Sequence, residues 1–300
     1  MAPPDTGEPA FEQIASFDDE ALRTFLDPHD GGIPPADLAV ALEDSDAAFR
    51  NRVAAAVPES GRAPLDRAQR THSARAVAAA RRRIVDRLFW PLLYWNDPAA
   101  YEELVAGEHI HPGLIDMLEL DDRVVCDIGA GAGRFALLAA TRAQHVIAVD
   151  AIPALLARLE EKARDRGLRN VDVRRGSFAA LPLADSSVDV AVACSSLTSQ
   201  GPLGGERALA EAERIVRPGG DVVVIWPQET RWFREHGYSY VSLQGNEVIH
   251  FPDVATAERV CRRFYSARAA AWVRRHHSAD VPYHVAGLTP PNDACIKRVA

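Results

Sequence analysis

Val124-Val125-Cys126-Asp127-Ile128-Gly129-Ala130-Gly131-Ala132-Gly133-Arg134-Phe135 is the stretch from which the fold can be read. β-branched residues run up to and past an Asp, three glycines follow at alternate positions, and an apolar helical pattern begins at Phe135. A strand, a tight turn and a helix N-terminus are therefore predicted in succession. Glycine is needed where a backbone takes positive φ or lets a ligand approach to van der Waals distance, and a helix N-terminus offers free N–H groups. Such an elbow binds a cofactor.

On its C-terminal side strands and helices alternate. A helix is predicted over 133–141, then a strand over 145–149 ending in Asp150. A helix with Pro153 in its first turn and a Gly167 stop precedes a strand over 171–173, and a strand over 188–193 leads to a helix over 208–216. Pro218-Gly219-Gly220 then introduces a strand over 222–226. Parallel strands joined by helical crossovers give a sheet covered on both faces, so the fold class is α/β, doubly wound. Beyond Pro227 a hairpin of 238–242 with 247–250, a helix over 255–275, and a final antiparallel pair of 281–285 with 294–299 are expected.

On the N-terminal side no strand pattern occurs. Residues 1–8 are rich in Pro, Asp, Glu and Gly and read as disordered. Apolar positions from Phe11 to Leu26 predict one or two short helices, 27–32 a loop, and further helices follow Pro34-Pro35 and contain Phe49, Val53 and Val57. One long helix is expected over 65–94. Its outer face carries Arg67, Arg70, Arg75, Arg81, Arg82, Arg83 and Arg87, read as a solvated face. Asp97-Pro98 and His111-Pro112 each supply a cap and a first-turn proline for a short helix.

The formal charge of -8 disfavours nucleic acid and anionic lipid as partners and favours a small-molecule acceptor. No secretory leader pattern and no apolar run of membrane-span length occur, so a cytoplasmic protein is expected. Cys126, Cys194, Cys261 and Cys295 are widely spaced within apolar patterns, which predicts buried reduced thiols and offers no cluster for thiol-based arsenic methylation.

Gly131-Ala132-Gly133-Arg134-Phe135-Ala136 fits the alanine variant of a dinucleotide fingerprint, so an NAD-dependent oxidoreductase is one reading. Three features turn the decision. Asp127 stands two residues before the first glycine, where a carboxylate suits a cationic ligand better than a pyrophosphate. Asp150 ends the next strand, placed to accept both hydrogen bonds of a ribose diol. The Arg217-Pro218-Gly219-Gly220 turn and the antiparallel ending are foreign to the common dehydrogenase layout.

At these residues the chain resembles the class I S-adenosylmethionine-dependent methyltransferases. Residues 127–133 look like their glycine-rich first motif, 146–150 like the second strand with its ribose-binding acid, and 214–220 like the segment before the fifth strand. The resemblance implies a doubly wound, seven-stranded, mostly parallel sheet with an antiparallel C-terminal strand. Residues 101–300 would form this Rossmann-like domain, and residues 1–100 an N-terminal all-helical cap that serves as a lid or a dimer surface. It also implies S-adenosyl-L-methionine as cofactor and methyl transfer to a small molecule, at oxygen or nitrogen in preference to carbon. A non-catalytic protein that keeps the pocket for sensing or assembly is the remaining alternative.

Carried across by position, Gly129, Ala130 and Gly131 would lie against the methionine part, and Asp127 would position that loop or meet the ammonium through water. Asp150 would hold the ribose and Ala151 flank the adenine. Ser177 and Phe178 take the place of the family's adenine-binding acid, and Cys194 and Ser195 would face the sulfonium and acceptor. Ala193-Cys194-Ser195-Ser196-Leu197 lacks the Asn or Asp followed by two prolines that marks transfer to exocyclic amines, and Pro290-Pro291 comes too late to serve. Tyr94 or Tyr101, in a cluster with Trp90 and Trp95, could cover the cofactor or an apolar acceptor. Trp226, Glu229, Trp232 and Phe233 are candidates for acceptor contacts. His109 is the candidate general base, and with His111 it makes a metal pair lacking a third ligand. His276-His277 reads as a charged helix end.

Overall fold

The computed structural model describes residues 9–27, 33–66, 72–200 and 204–300. The readings for 1–8, for most of the loop 27–32, and for Arg67 and Arg70 lie outside the described residues. The sheet follows from the strands named above. β1 (Val124–Ile128), β2 (His145–Asp150), β3 (Val171–Arg175), β4 (Val188–Cys194) and β5 (Val216–Ile225) are parallel, in the order β3-β2-β1-β4-β5. β6 (Ser239–Ser242) and β9 (Asp293–Arg298) complete seven strands: β9 runs antiparallel between β5 and β6. β7 (Val248–His250) and β8 (Asp280–Pro282) form a separate two-stranded sheet.

Alternate side chains of each strand feed opposite cores, as the pleat requires. Val125, Val146, Ala148, Val190, Val192 and Val223 pack with Phe135, Leu159 and the helices inserted between β6 and β9. Cys126, Ile147, Val149, Ala191, Val222 and Val224 pack with Ala208, Leu209 and Ala212. The crossovers are α9 (Ala136–Ala139), α10 (Pro153–Asp165) and α11 (Gly205–Arg214). After β5 come α12 (Thr230–Glu235), α13 (Val254–Val260), α14 (Ala267–His276) and α15 (Tyr283–Ala286).

Before β1 stand a 3-10 turn at Phe11–Ser16, α1 (Asp19–Phe25), α2 (Pro35–Ala41), α3 (Ala47–Ala56), α4 (Glu59–Asp66), α5 (Ala74–Arg87), α6 (Phe89–Asn96), α7 (Pro98–Val105) and α8 (Pro112–Met117). Among the described residues this part has no core of its own. Phe11, Ile14, Phe17, Leu22, Phe25, Leu38, Ile84 and Leu92 share one buried cluster with Ala132 of the glycine loop and Ala151, Ile152 and Leu155 beyond β2. Asp18 caps α1 by accepting from the Ala21 N–H at 2.9 Å, and both its oxygens take the Arg175 guanidinium at 2.7 Å. Arg175 ends β3 directly beside Asp150. The helices are thus anchored next to the ribose-binding position expected from the sequence.

Several elements depart from expectation. The long helix over 65–94 is broken, because Pro91 lacks the N–H that would bond to the Arg87 carbonyl; α5 ends there and α6 restarts at a bend on Leu88. The outer arginines of α5 are partly paired: Arg83 bonds Asp37 and Arg81 bonds Glu12 and the Ala41 carbonyl. The helix over 255–275 contains a π turn at Cys261–Tyr265 and restarts after extended Ser266, which caps α14 by accepting from the Ala269 N–H. The expected 238–250 hairpin does not form. β6 pairs with β9, its Tyr240 hydroxyl donates to Asp293 at 2.9 Å, and the Leu243 N–H goes to the Asn292 carbonyl. Likewise 281–285 does not pair with 294–299: β8 joins β7, and β9 inserts between β5 and β6. All four cysteines are buried free thiols, and among the described residues no helix is long and apolar enough to cross a membrane.

Replacing Asp18 separates its two duties. Asp18→Ala, which loses the cap and the Arg175 contact, should lower unfolding stability by about 1–2 kcal/mol, while Asp18→Asn, which keeps a capping oxygen, should cost less than half as much. Urea titrations of both variants check this.

Candidate active site

β1 is flanked by β2 and β4, so the chain leaves it at the point where strand order reverses, and ligands of open α/β sheets bind at the carboxyl ends there. The loop after β1 turns sharply. Gly129 and Gly131 have φ of 76° and 53°, in the left-handed region. The Gly129 and Ala130 N–H groups both donate to the Val149 carbonyl, at 2.8 and 3.0 Å. A Cβ on Gly129 would come within 2.5 Å of Ser196 and 2.7 Å of the Phe178 ring, and one on Gly131 within 2.4 Å of the Tyr101 hydroxyl. Side chains from three separate segments close around this backbone.

Two buried carboxylates brace the loop. Asp150 accepts from the Gly131 N–H and the Ile152 N–H, one on each oxygen, at 2.8 and 2.9 Å. Each oxygen keeps a second lone pair, the pattern a vicinal diol requires. Asp127 accepts from the Ala136 N–H at 2.9 Å on one oxygen, and its other oxygen is buried without a partner. Burial raises the Asp127 carboxyl to about 7, and burial also raises Asp150. The free N–H expected at the helix N-terminus is therefore occupied in part by Asp127, and the helix itself is only Ala136–Ala139. A diphosphate laid over this loop would lie beside the buried Asp127, which disfavours a dinucleotide.

The positions expected to flank a nucleoside lie under the N-terminal helices. Ala151 is buried in their core, and Tyr94 sits edge-on to Tyr101 with ring centroids 4.6 Å apart. Phe178 is buried with its ring tip toward Gly129, whereas the Ser177 hydroxyl accepts locally from the Ala179 N–H. The Cys194 thiol is buried, and Ser195 is exposed at a φ of 56°.

Beyond the loop the structure brings together residues that the sequence reading did not join. Arg134 donates to Glu108 at 2.9 Å and to the Cys194 carbonyl at 3.4 Å, and its guanidinium lies 5.6 Å from the Trp226 ring centroid. The Tyr265 hydroxyl donates to the other Glu108 oxygen at 3.0 Å. Burial raises the Glu108 carboxyl, opposed by Arg134. The only advance signal was position: Glu108 begins the Glu108-His109-Ile110-His111 segment and Arg134 follows the last glycine.

His109 is not part of this group. It is exposed, its ring 5.9 Å from that of His250, while the neighbouring Glu108 points inward. His111 caps α8 through Nδ1, which accepts from the Gly113 N–H. Of the residues after β5, Trp226 faces Arg134, but Phe233 is core, Trp232 packs beside it, and Glu229 accepts from the Ser199 N–H. An extended segment alternates its side chains, so a one-residue shift decides which one enters the site.

Residues 125–220 match the family model described as a methyltransferase domain. An uncharacterized methyltransferase-like protein of Schizosaccharomyces pombe is 35% identical over 104 residues, 34% of this chain and 38% of that one. An arsenite methyltransferase of Halobacterium salinarum is 34% identical over 103 residues, 33% of this chain and 26% of that one. An S-adenosylmethionine-dependent methyltransferase structure from Aquifex aeolicus, 21% identical, covers 52% of this chain and 93% of its own, with a TM-score of 0.41. The chain thus matches these two curated relatives over well under half of their length.

The unpartnered Asp127 oxygen yields a stability prediction. Between about pH 4 and 7 the folded chain holds a proton that an unfolded carboxyl with an ordinary value of 3.8 has released, so folding stability falls as pH rises through that window. Asp127→Asn removes this loss. Its melting temperature relative to the parent should rise from pH 4 to pH 8, reflecting a stability gain at pH 8 on the order of 4 kcal/mol, read by calorimetric melting across pH.

Proposed function

We propose that this chain, a member of the class I S-adenosylmethionine-dependent methyltransferase superfamily, transfers the methyl group of that cofactor to a small-molecule acceptor. The observation that carries this reading is the buried, unpartnered Asp127 oxygen beside a loop whose glycines leave no room for a Cβ. A cationic amino-acid tail supplies what that oxygen lacks, directly or through a water. The Asp150 oxygens retain lone pairs for ribose hydroxyls, and Ala151 and Ile152 offer an apolar flank for a base. When bound, the cofactor supplies a methyl group on a positively charged sulfur, already activated for in-line displacement.

The chain's residues then have a limited task. They hold the nucleophile at near-attack distance and exclude water, which can lower the barrier by roughly 7–11 kcal/mol. The N-terminal helices and the segment inserted between β6 and β9 cover the carboxyl edge of the sheet, and this enclosure, with the net charge of -8, favours a small molecule over a nucleic acid. All four thiols are buried and apart, so a thiol relay like one for arsenic has no support.

Isothermal calorimetry with S-adenosylhomocysteine and with NAD tests the cofactor. Heat with the first and none with the second is expected, and the reverse would overturn the proposal. Asp150→Ala frees the Gly131 and Ile152 N–H groups and removes the diol acceptor together, so it should weaken S-adenosylhomocysteine at least about tenfold.

A further inference from the structure

At the carboxyl edge of β4 and β5, five separate stretches of chain converge on one buried group. Glu108 comes from the segment before α8, Arg134 from the glycine loop, Trp226 from the end of β5, Tyr265 from the π turn and Tyr283 from α15. Glu108 spends one oxygen on Arg134 and accepts the Tyr265 hydroxyl on the other, each oxygen retaining a lone pair. Tyr283 is 1% exposed, lies edge-on to Trp226 with centroids 6.1 Å apart, and has a buried hydroxyl with no hydrogen-bond partner. Arg134 and Tyr283 both lie against the Trp226 ring, at 5.6 and 6.1 Å, and Arg134 holds Glu108 at 2.9 Å, so the unpartnered hydroxyl belongs to the same buried cluster as the charge pair. A buried hydroxyl left without a partner is costly, and it marks a position that a ligand atom can satisfy.

The charges select the ligand. Glu108 and Arg134 cancel, so a carboxylate ligand would lie beside Glu108 with no spare cation, and an ammonium would lie beside Arg134. A neutral hydroxyl can both donate to Glu108 and accept from Tyr283. We propose that the acceptor is a phenol, its hydroxyl set between Glu108 and Tyr283 and its ring against Trp226, an inference that rests on the methyltransferase reading above. Glu108 then acts as general base. The phenolic O–H bond breaks and its proton passes to Glu108; the oxygen forms the new bond to the methyl carbon, and the carbon–sulfur bond breaks with its electron pair remaining on sulfur. Burial raises the Glu108 carboxyl, which strengthens it as a base, and a phenol gives up its proton far more readily than an aliphatic alcohol.

The test uses the full chain saturated with S-adenosylhomocysteine and titrated with naphthol, naphthoate, naphthylamine and cyclohexanol, followed by transfer of a labelled methyl group to each. Naphthol should bind at least about tenfold tighter than the other three and be the one methylated. In Glu108→Gln, transfer to naphthol should fall on the order of 100-fold and lose its rise with pH, with S-adenosylhomocysteine affinity retained as the check on folding. Tyr283→Phe, which keeps the ring, should raise the naphthol KM several-fold and leave the pH profile intact. Absence of heat with S-adenosylhomocysteine would overturn the cofactor reading. Heat with it, but no preference for naphthol or a Glu108→Gln pH profile like the parent's, would overturn the phenol assignment alone.

Discussion

The Gly131 N–H held by Asp150 is the contact on which the carboxyl edge of the sheet depends. It ties the loop after β1 to the end of β2 at a backbone conformation that only glycine adopts without strain, and the second Asp150 oxygen fixes the start of the next crossover through Ile152. With the loop set this way, Asp127 is sealed behind it, one oxygen on the Ala136 N–H and the other without a donor. An acid buried incompletely satisfied costs stability, and a cationic ligand offsets that cost. Affinity for such a ligand and instability without it have the same origin.

The helices before β1 belong to this arrangement structurally. Their apolar side chains pack on Ala132, Ala151 and Ile152, the same backbone that would flank a nucleoside, and Arg175 carries Asp18 to a point adjacent to Asp150. These helices share their core with the loop they pack on. Small residues at 132 and 151 allow that close approach.

The segment inserted between β6 and β9 plays the complementary part. By taking β9 into the sheet beside β5 and leaving β7 and β8 as a separate pair, the chain places Tyr265 and Tyr283 over the end of β5. Glu108 and Arg134 meet there as a charge pair with side-chain exposures of 7% and 14%. Buried pairs of this kind contribute little net stability because desolvation offsets attraction, so retaining one at a sheet edge where ligands bind argues for chemistry over scaffolding.

The sequence by itself determined the parallel core of the sheet, the elbow and its two acids, because strand periodicity, glycine spacing and prolines at helix starts act over a few residues. β1, β2 and β4 lie within a residue of their expected bounds, and Asp127 and Asp150 stand where their strands end. Local pattern misjudged the long helices, where one proline or one extended serine interrupts an otherwise continuous apolar stripe, and the C-terminal pairings, since any strand with an open edge can accept several partners. Only the tertiary structure decided that Glu108 and not His109 turns inward, and that Arg134, Tyr265 and Tyr283 join it. Those side chains lie as much as 175 positions apart, counting from Glu108 to Tyr283, and what brings them together is the closing of two separate coverings over one sheet edge, a constraint that no stretch of sequence contains.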